Sequence, residues 1–321
     1  MKDHDIRIVS LIPSGTEILA SLGLSKYIVG RSHECDYPPE ITNLPICTTA
    51  RLNSKASSRD IHDGINNLLQ SSLSIYQIKI EVLEQLQPTH IITQDQCDVC
   101  AASLSDVEQA VGKLIHTKPE IISLQPQTLK DVWGDIERIG NTFQVDSVKI
   151  LENLEARVKI CQRKLEGLSL KEMPTVACIE WTDPLLFAAN WIPELVNLAG
   201  GQTLFSIMGG TAAHLHWETL ITRNPDIIIL MPCGFNLQRT QQEAELLTYR
   251  PEWETLHAVK AGRVYVTDGN SYFNRPGPRL ADSLEILAEI LHPEIFDYGY
   301  KGIGWESLKV ANLAQPTAKN R

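Results

Sequence analysis

Two Rossmann-like α/β lobes joined by one long rigid helix, with a ligand cleft between the lobes, is the fold that the sequence predicts. Three observations carry it. Short apolar runs of strand length alternate with helical patterns along the chain, which is the signature of α/β layers around parallel sheets. Between about residues 145 and 168, Val148, Leu151, Leu154, Val158, Cys161 and Leu165 recur at steps of three and four with no Gly or Pro among them. That spacing predicts a single amphipathic helix of roughly 20 residues. On either side of it the sequence echoes itself. "TEILASLG" and "PELVNLAGG" each place a Glu six residues before a Gly (Glu17 and Gly23, Glu194 and Gly200). "EVLEQLQPTHII" and "ETLITRNPDIII" each place a Glu seven residues before a Pro (Glu81 and Pro88, Glu218 and Pro225). Two echoes in the same order, one pair on each side of the helix, mark two similar lobes. The division is residues 1–143, a bridging segment 144–168, and residues 169–321.

Taken in order, "RIVSLI" reads as the first strand and "TEILASLG" as a helix closed by Gly23. "YIVGRS" is a strand, "IEVLEQLQ" a helix stopped by Pro88, and "THIIT" a strand. "AASLSDVEQAVGKL" is helical and "EIISL" returns to strand before the bridging helix. After "KEMP" the strands are "TVACIE", "DIIIL" and "RVYVT", and the last long helix is "LADSLEILAEIL". Because one helix links the lobes, large hinge opening is not expected. Ligands of open α/β sheets bind outside the carboxyl ends of the strands, so two facing lobes enclose a cleft between those ends.

The 321 residues are 43% apolar and 21% charged, as in a soluble globular protein. A net charge of −10 leaves no basic surplus to displace counterions from phosphates, so no nucleic-acid partner is expected. No apolar run approaches the roughly 20 residues of a membrane helix. The start, "MKDHDIRIVSLIPSG", has two acids ahead of a core strand instead of a basic n-region and cleavage site. A chain written this way is expected in the cytoplasm, or in the periplasm if the true start lies upstream. The seven cysteines are odd in number and lack framework spacing, which suits a reducing compartment. The chain is expected to act as a monomer.

Chemistry concentrates at the strand ends. "RSHECDYPP" supplies His33, Cys35, Asp36 and Tyr37; "TQDQCDVC" supplies Cys97 and Cys100. In the second lobe, "EWTDPLLFAANW" carries Trp181, Asp183 and Trp191, and "DGNSYFNRPGPR" carries Tyr272 and Phe273. Aromatic side chains facing a cleft suit a large, flat or greasy ligand, although Trp191 can equally pack beneath its own helix. Cys97 and Cys100 with Cys35 and His33 have the composition of a Cys3His zinc site. They can also be a redox pair, cleft residues or plain buried thiols, although Asp98 between the two disfavours the thiolate. His214 and His216, on a strand, would face one side; no further ligands stand near them in the sequence. Ser14 in "IPSGTE" fits a helix cap better than a nucleophile. There is no G-x-G-x-x-G after the first strand, no P-loop and no G-x-S-x-G, so no enzyme is expected.

The order "RIVSLIPSGTEILASLG…YIVGRSHECDYPPEI", then "WTDPLLFAANWIPELVNLAGG", then "RPGPRLADSLEILA" resembles the class III substrate-binding proteins of ABC importers. It is most similar to their vitamin B12 (cobalamin)-binding branch, over about residues 6–296. The resemblance implies a non-catalytic protein holding cobalamin or a related corrinoid between its lobes, for uptake or for holding and delivery inside the cell, with no cofactor of its own. It implies that Tyr37 meets the corrin from the first lobe and the Tyr272–Phe273 loop from the second. It further implies that Glu81 and Glu218 dock on arginines of the importer's membrane subunits. As written, the sequence departs from the pattern by a start that does not read as an export signal, by "ICTTAR" where a tryptophan is usual, and by "CDVC". A ferric siderophore or haem is the alternative ligand, anchored by Arg31, Arg51, Arg275 or Arg279. A thiol- or metal-dependent redox protein built on Cys35, Cys97 and Cys100 is the alternative of another class.

Overall fold

A computed structural model describes residues 6–71, 73–95, 101–205 and 207–309. The first lobe is built from β1 (Ile8–Ser10), α1 (Pro13–Ser21), β2 (Ile28–Arg31), β3 (Thr48–Ala50), α2 (Ser58–Gln70), β4 (Tyr76–Ile78), α3 (Ile80–Leu86), β5 (His90–Gln94), α4 (Leu104–Val111), β6 (Glu120–Leu124) and α5 (Leu129–Phe143). Its main sheet is parallel, in the order β2-β1-β5-β6, and β3 pairs with β4 beside it. Alternation along the strands divides the core in two. Ile8 and Ile92 face the helices α1 and α5, whereas Val9 and Ile91 face the side covered by α3 and α4.

A bridging helix α6 (Val148–Lys164) leads to β7 (Thr175–Thr182), β8 (Leu185–Phe187), α7 (Ile192–Leu198), β9 (Gln202–Thr203), β10 (Ala213–His214), α8 (Trp217–Arg223), β11 (Ile227–Leu230), α9 (Leu237–Thr248), α10 (His257–Lys260), β12 (Val264–Thr267), α11 (Leu280–Leu291) and β13 (Trp305–Ser307). The second sheet runs β10-β8-β7-β11-β12-β13, with β9 against β7; its centre, β7-β11-β12, is parallel. The same alternation puts Val176 and Cys178 on one core face and Ala177 and Ile179 on the other.

Helix α6 is shorter than its sequence pattern, and Val148 at its start is exposed. Its two buried residues serve different lobes: Leu154 joins the first-lobe core and Cys161 the second. Midway between them, Arg157 pairs with Asp282 and Glu285 of α11. The cores also interpenetrate. Leu129 and Val132 of α5 belong to the second-lobe cluster, and Ala281 of α11 belongs to the first-lobe cluster. The lobes are therefore joined by packed side chains as well as by one helix.

Both sequence echoes correspond to repeated structure. Helices α3 and α8 each carry the Glu in the first turn (Glu81, Glu218) and close on a left-handed residue, Gln87 at φ 44° and Asn224 at φ 43°. The following prolines, Pro88 and Pro225, lead into β5 and β11. Helices α1 and α7 are each followed by a glycine at positive φ, 72° at Gly23 and 78° at Gly200.

Candidate functional site

The carboxyl ends of the two sheets meet along a line of direct contacts between lobes. At its closed end, Glu17 of α1 accepts hydrogen bonds from Arg275 (3.2 Å) and Arg279 (2.9 Å), which precede α11. Arg275 also donates to Asp36 (3.1 Å), and Asn270 donates to the same carboxylate (3.1 Å). Burial pushes the Asp36 carboxyl up, but the Arg275 hydrogen bonds and charge outweigh it and leave the pKa below the usual carboxylate value. The guanidinium of Arg279 stacks 4.2 Å from the Tyr37 ring centroid and 5.6 Å from that of Tyr272. Tyr37 is 44% exposed, the open side of this cluster.

At the other end, residues 54–62 reach from the first lobe onto the second. Arg239 donates to the carbonyls of Ser54 and Ala56 (2.6 Å to the latter). Trp181 Nε1 donates to the Ser58 carbonyl at 3.2 Å, and Thr182 Oγ1 to Ser58 Oγ at 3.3 Å. Arg59 pairs with Asp183. The rings of His62 and His214 meet edge to face at 5.8 Å between centroids. Burial, and next the neighbouring His214, lower the His62 pKa, so this ring is neutral near pH 7.

On the first lobe, in the loop that leads to Asp36, His33 and Glu34 meet Thr48 and Tyr76, and Glu34 feels the charges of Arg275 and Asp36. His33 Nδ1 is 2.8 Å from Thr48 Oγ1, and Tyr76 donates its phenol proton to Glu34 at 3.1 Å. Burial, followed by the charges of Lys79 and Arg31, holds the His33 imidazole below its ordinary pKa. Burial raises the Glu34 pKa, against the lowering effect of the Tyr76 bond.

The sequence-derived site residues separate into those that reach this seam and those that do not. Asp36, Tyr37, Trp181, Asp183 and Tyr272 take part in the contacts between lobes, whereas His33, three residues before Asp36, contacts first-lobe residues. Phe273 does not reach the seam: it is fully buried in the second-lobe core, where its carbonyl accepts the Trp191 indole N–H at 2.9 Å. Its neighbour Tyr272 is the ring beside Arg279. Trp191 likewise packs under its own helix, at 5% exposure. Cys35 is enclosed as well, accepting from Thr16 at 3.1 Å, and burial pushes its thiol up to about 12. An enclosed, protonated thiol offers a ligand or a redox partner little. Cys97 and Cys100 lie outside the described residues. His214 and His216 do not share a strand face, since β10 ends at His214 and His216 precedes α8. Among the described residues, no three His, Cys, Asp or Glu side chains are placed to hold a metal ion, and no helix is long and apolar enough to cross a membrane.

Sequence reasoning missed Arg239, Asn270 and the whole 54–59 segment. Their partners stand 183 and 234 residues away in the case of Arg239–Ala56 and Asn270–Asp36, so no local pattern announces them.

The family model described as periplasmic binding protein matches residues 8–270. An uncharacterized ABC transporter substrate-binding lipoprotein, YvrC, of Bacillus subtilis is 22% identical over 302 residues, covering 92% of this chain and 83% of the relative. The vitamin B12-binding protein of Vibrio parahaemolyticus is 22% identical over 294 residues, covering 88% of each. Among solved structures, the periplasmic heme-binding protein RhuT from Roseiflexus sp. RS-1 superposes with a TM-score of 0.66 at 22% identity, over 90% of this chain and 98% of that one. At this identity the structural likeness establishes the fold.

Proposed function

Because this chain belongs to the periplasmic binding protein family, we propose that it binds cobalamin or a related corrinoid between its lobes, without chemical conversion. In the same reading it presents the ligand to the membrane subunits of an ABC-type importer. The observation that carries the ligand class is the fate of the cleft arginines. Arg275 and Arg279 are neutralised by Glu17 and Asp36. Arg31 is buried, with its guanidinium on the carbonyls of Ser32, Cys35 and Thr42. Of the four arginines suited to anchoring an anionic chelate, Arg51 is the exposed one.

A haem with its propionates, or an anionic ferric siderophore, needs unspent positive charge at the site. A corrinoid, with neutral amides around its ring, needs aromatic surface and hydrogen-bonding groups instead. Tyr37, Tyr272 and Trp181 supply the rings, while the Glu34 carboxyl supplies a polar group on the first lobe. The vitamin B12-binding relative supports the same choice.

For docking, Glu81 and Glu218 stand exposed at the first turns of the two corresponding helices, one on each lobe. Paired carboxylates of this kind suit cationic side chains on two copies of a membrane subunit.

The test is gel filtration of the purified protein after incubation with cobalamin, haem or a ferric siderophore, read by visible absorbance. Corrin absorbance co-eluting at near one equivalent, with the other two excluded, is the expected result. Co-elution of haem or siderophore in its place reassigns the ligand, and protein free of all three chromophores rejects a chelate-binding role.

A further inference from the structure

The imidazole of His33 is held in one tautomer with one nitrogen left over. Thr48 Oγ1 receives two N–H groups, the His33 backbone amide at 3.1 Å and ring Nδ1 at 2.8 Å. Its own proton goes to Ser32 Oγ at 3.0 Å. With its single proton spent on Ser32, the Thr48 oxygen is an acceptor toward the ring, so Nδ1 carries the hydrogen. The lone pair then sits on Nε2. The nearest acid, Glu34, is 3.9 Å from Nε2, too far for a hydrogen bond, and its Oε1 takes the Tyr76 hydroxyl instead. The ring is neutral near pH 7, because burial and two nearby cations disfavour its protonation. It is partly exposed on the loop after β2, three residues before Asp36, which contacts the second lobe.

A neutral imidazole oriented through a hydrogen bond at Nδ1, with Nε2 presented, is the arrangement of a metal-ligating histidine with its outer-shell support. A lone imidazole makes no cage for a bare ion. It suits a metal that arrives with most of its own donors.

We propose that His33 Nε2 is this protein's donor to the metal of the bound chelate, so that the cleft prefers chelates whose metal keeps one exchangeable coordination position. The assignment rests on the corrinoid reading above. The step is a ligand exchange: water leaves the metal, the Nε2 lone pair takes its place, and no electron or proton moves. Thr48 and Ser32 are positioning residues, which hold the ring and fix its tautomer.

Aquocobalamin, with an exchangeable water on cobalt, and cyanocobalamin, with a slowly exchanging cyanide, separate the possibilities. The wild-type protein is expected to shift the visible bands of aquocobalamin toward those of an imidazole complex and to leave those of cyanocobalamin unchanged. His33→Ala is expected to abolish the shift and weaken aquocobalamin binding roughly tenfold or more, the scale on which even outer partners of metal ligands are felt. Cyanocobalamin affinity should stay within about twofold on the same scale. His33→Asn, which can keep a bond to Thr48, should behave like the alanine variant, and matching circular dichroism and melting curves show that both fold. Thr48→Val should reduce the shift without removing it. Aquocobalamin bound with unshifted bands, or a shift that persists in His33→Ala, overturns the assignment while the corrinoid reading stands. A wild-type protein that binds neither corrinoid overturns that reading and this assignment with it.

Discussion

The two lobes use the same position for the same purpose with different chemistry. In the first lobe, Glu17 of α1 reaches across to the residues leading into α11 and meets two arginine side chains. In the second, Glu194 of α7 reaches across to the start of α5 and accepts the backbone N–H of Leu129 at 2.8 Å. Helices α1 and α7 correspond in the two lobes, as do α5 and α11, so the contacts are reciprocal: each lobe secures the start of the other's final helix. One grip is a buried ionic cluster and the other is a single charge-assisted hydrogen bond to an open helix end. A repeated fold thus preserves where a side chain reaches, while the partner it finds is free to diverge.

The comparison breaks most visibly at the ionic grip. The Glu17 side chain is 2% exposed and that of Arg275 is 6% exposed. Removing the acid strands buried positive charge, so Glu17→Ala is expected to lower unfolding free energy by about 3–5 kcal/mol. Urea denaturation of the variant reads this directly, and a loss below about 1 kcal/mol, the range of exposed pairs, would count against a buried cluster. The reciprocal change, Glu194→Ala, removes one acceptor from a helix start and should cost about 0.5–2 kcal/mol, as losses of N-terminal capping groups do. Equal losses at the two positions would mean that the grips are energetically alike despite their chemistry.

Acid should act on the first grip through Asp36. Its folded pKa lies below the ordinary value, because the Arg275 bonds overcome the effect of burial. The native state therefore holds the Asp36 proton less tightly than the unfolded chain does. The stabilisation is fully present above the unfolded carboxylate value of about 4 and is lost as pH falls through the lower folded value. His33 and His62, also lowered mainly by burial, add a decline that begins nearer pH 6.5, the ordinary histidine value, and continues down to their folded values. Unfolding curves measured from pH 7 to pH 3 should show both declines, and Asp36→Asn should flatten the more acidic one.

How much of this was legible in the sequence depends on the range of the interaction. The Glu81–Pro88 and Glu218–Pro225 echo is visible because a left-handed cap followed by proline is a local device, written within one helix end. The alternation of Ile8 with Val9 is visible for the same reason. Tyr272 and Phe273 defeat local reading: they fall in a single π-turn, Gly269–Phe273, where no two-residue alternation says which ring faces inward. Cys35 shares a motif with Tyr37, yet it turns under the loop to Thr16 while Tyr37 turns out. The long-range contacts of Arg239 and Arg59 needed the fold itself.

The smallest effect on stability is expected where the lobes are most alike. Glu81 and Glu218 are both exposed, both in the first turn of a short helix, and both followed by the same cap and proline. An exposed acid near a helix N-terminus gains about 0.3–1 kcal/mol from the helix dipole, so Glu81→Lys or Glu218→Lys should cost no more than about 1–2 kcal/mol. Their surroundings differ: Glu218 stands beside Trp217, whose indole donates to the Pro251 carbonyl at 2.8 Å and lies under Arg250. Ile80 precedes Glu81 in the first lobe. If docking uses both carboxylates against two copies of one membrane subunit, each reversal should reduce corrinoid uptake by cells while leaving corrinoid binding by the purified protein intact. The double reversal should reduce uptake further. Uptake equal to wild type in the double variant would sink the docking role; loss confined to Glu218→Lys would show that the aromatic surroundings of the second lobe, and not the repeated carboxylate, make the contact.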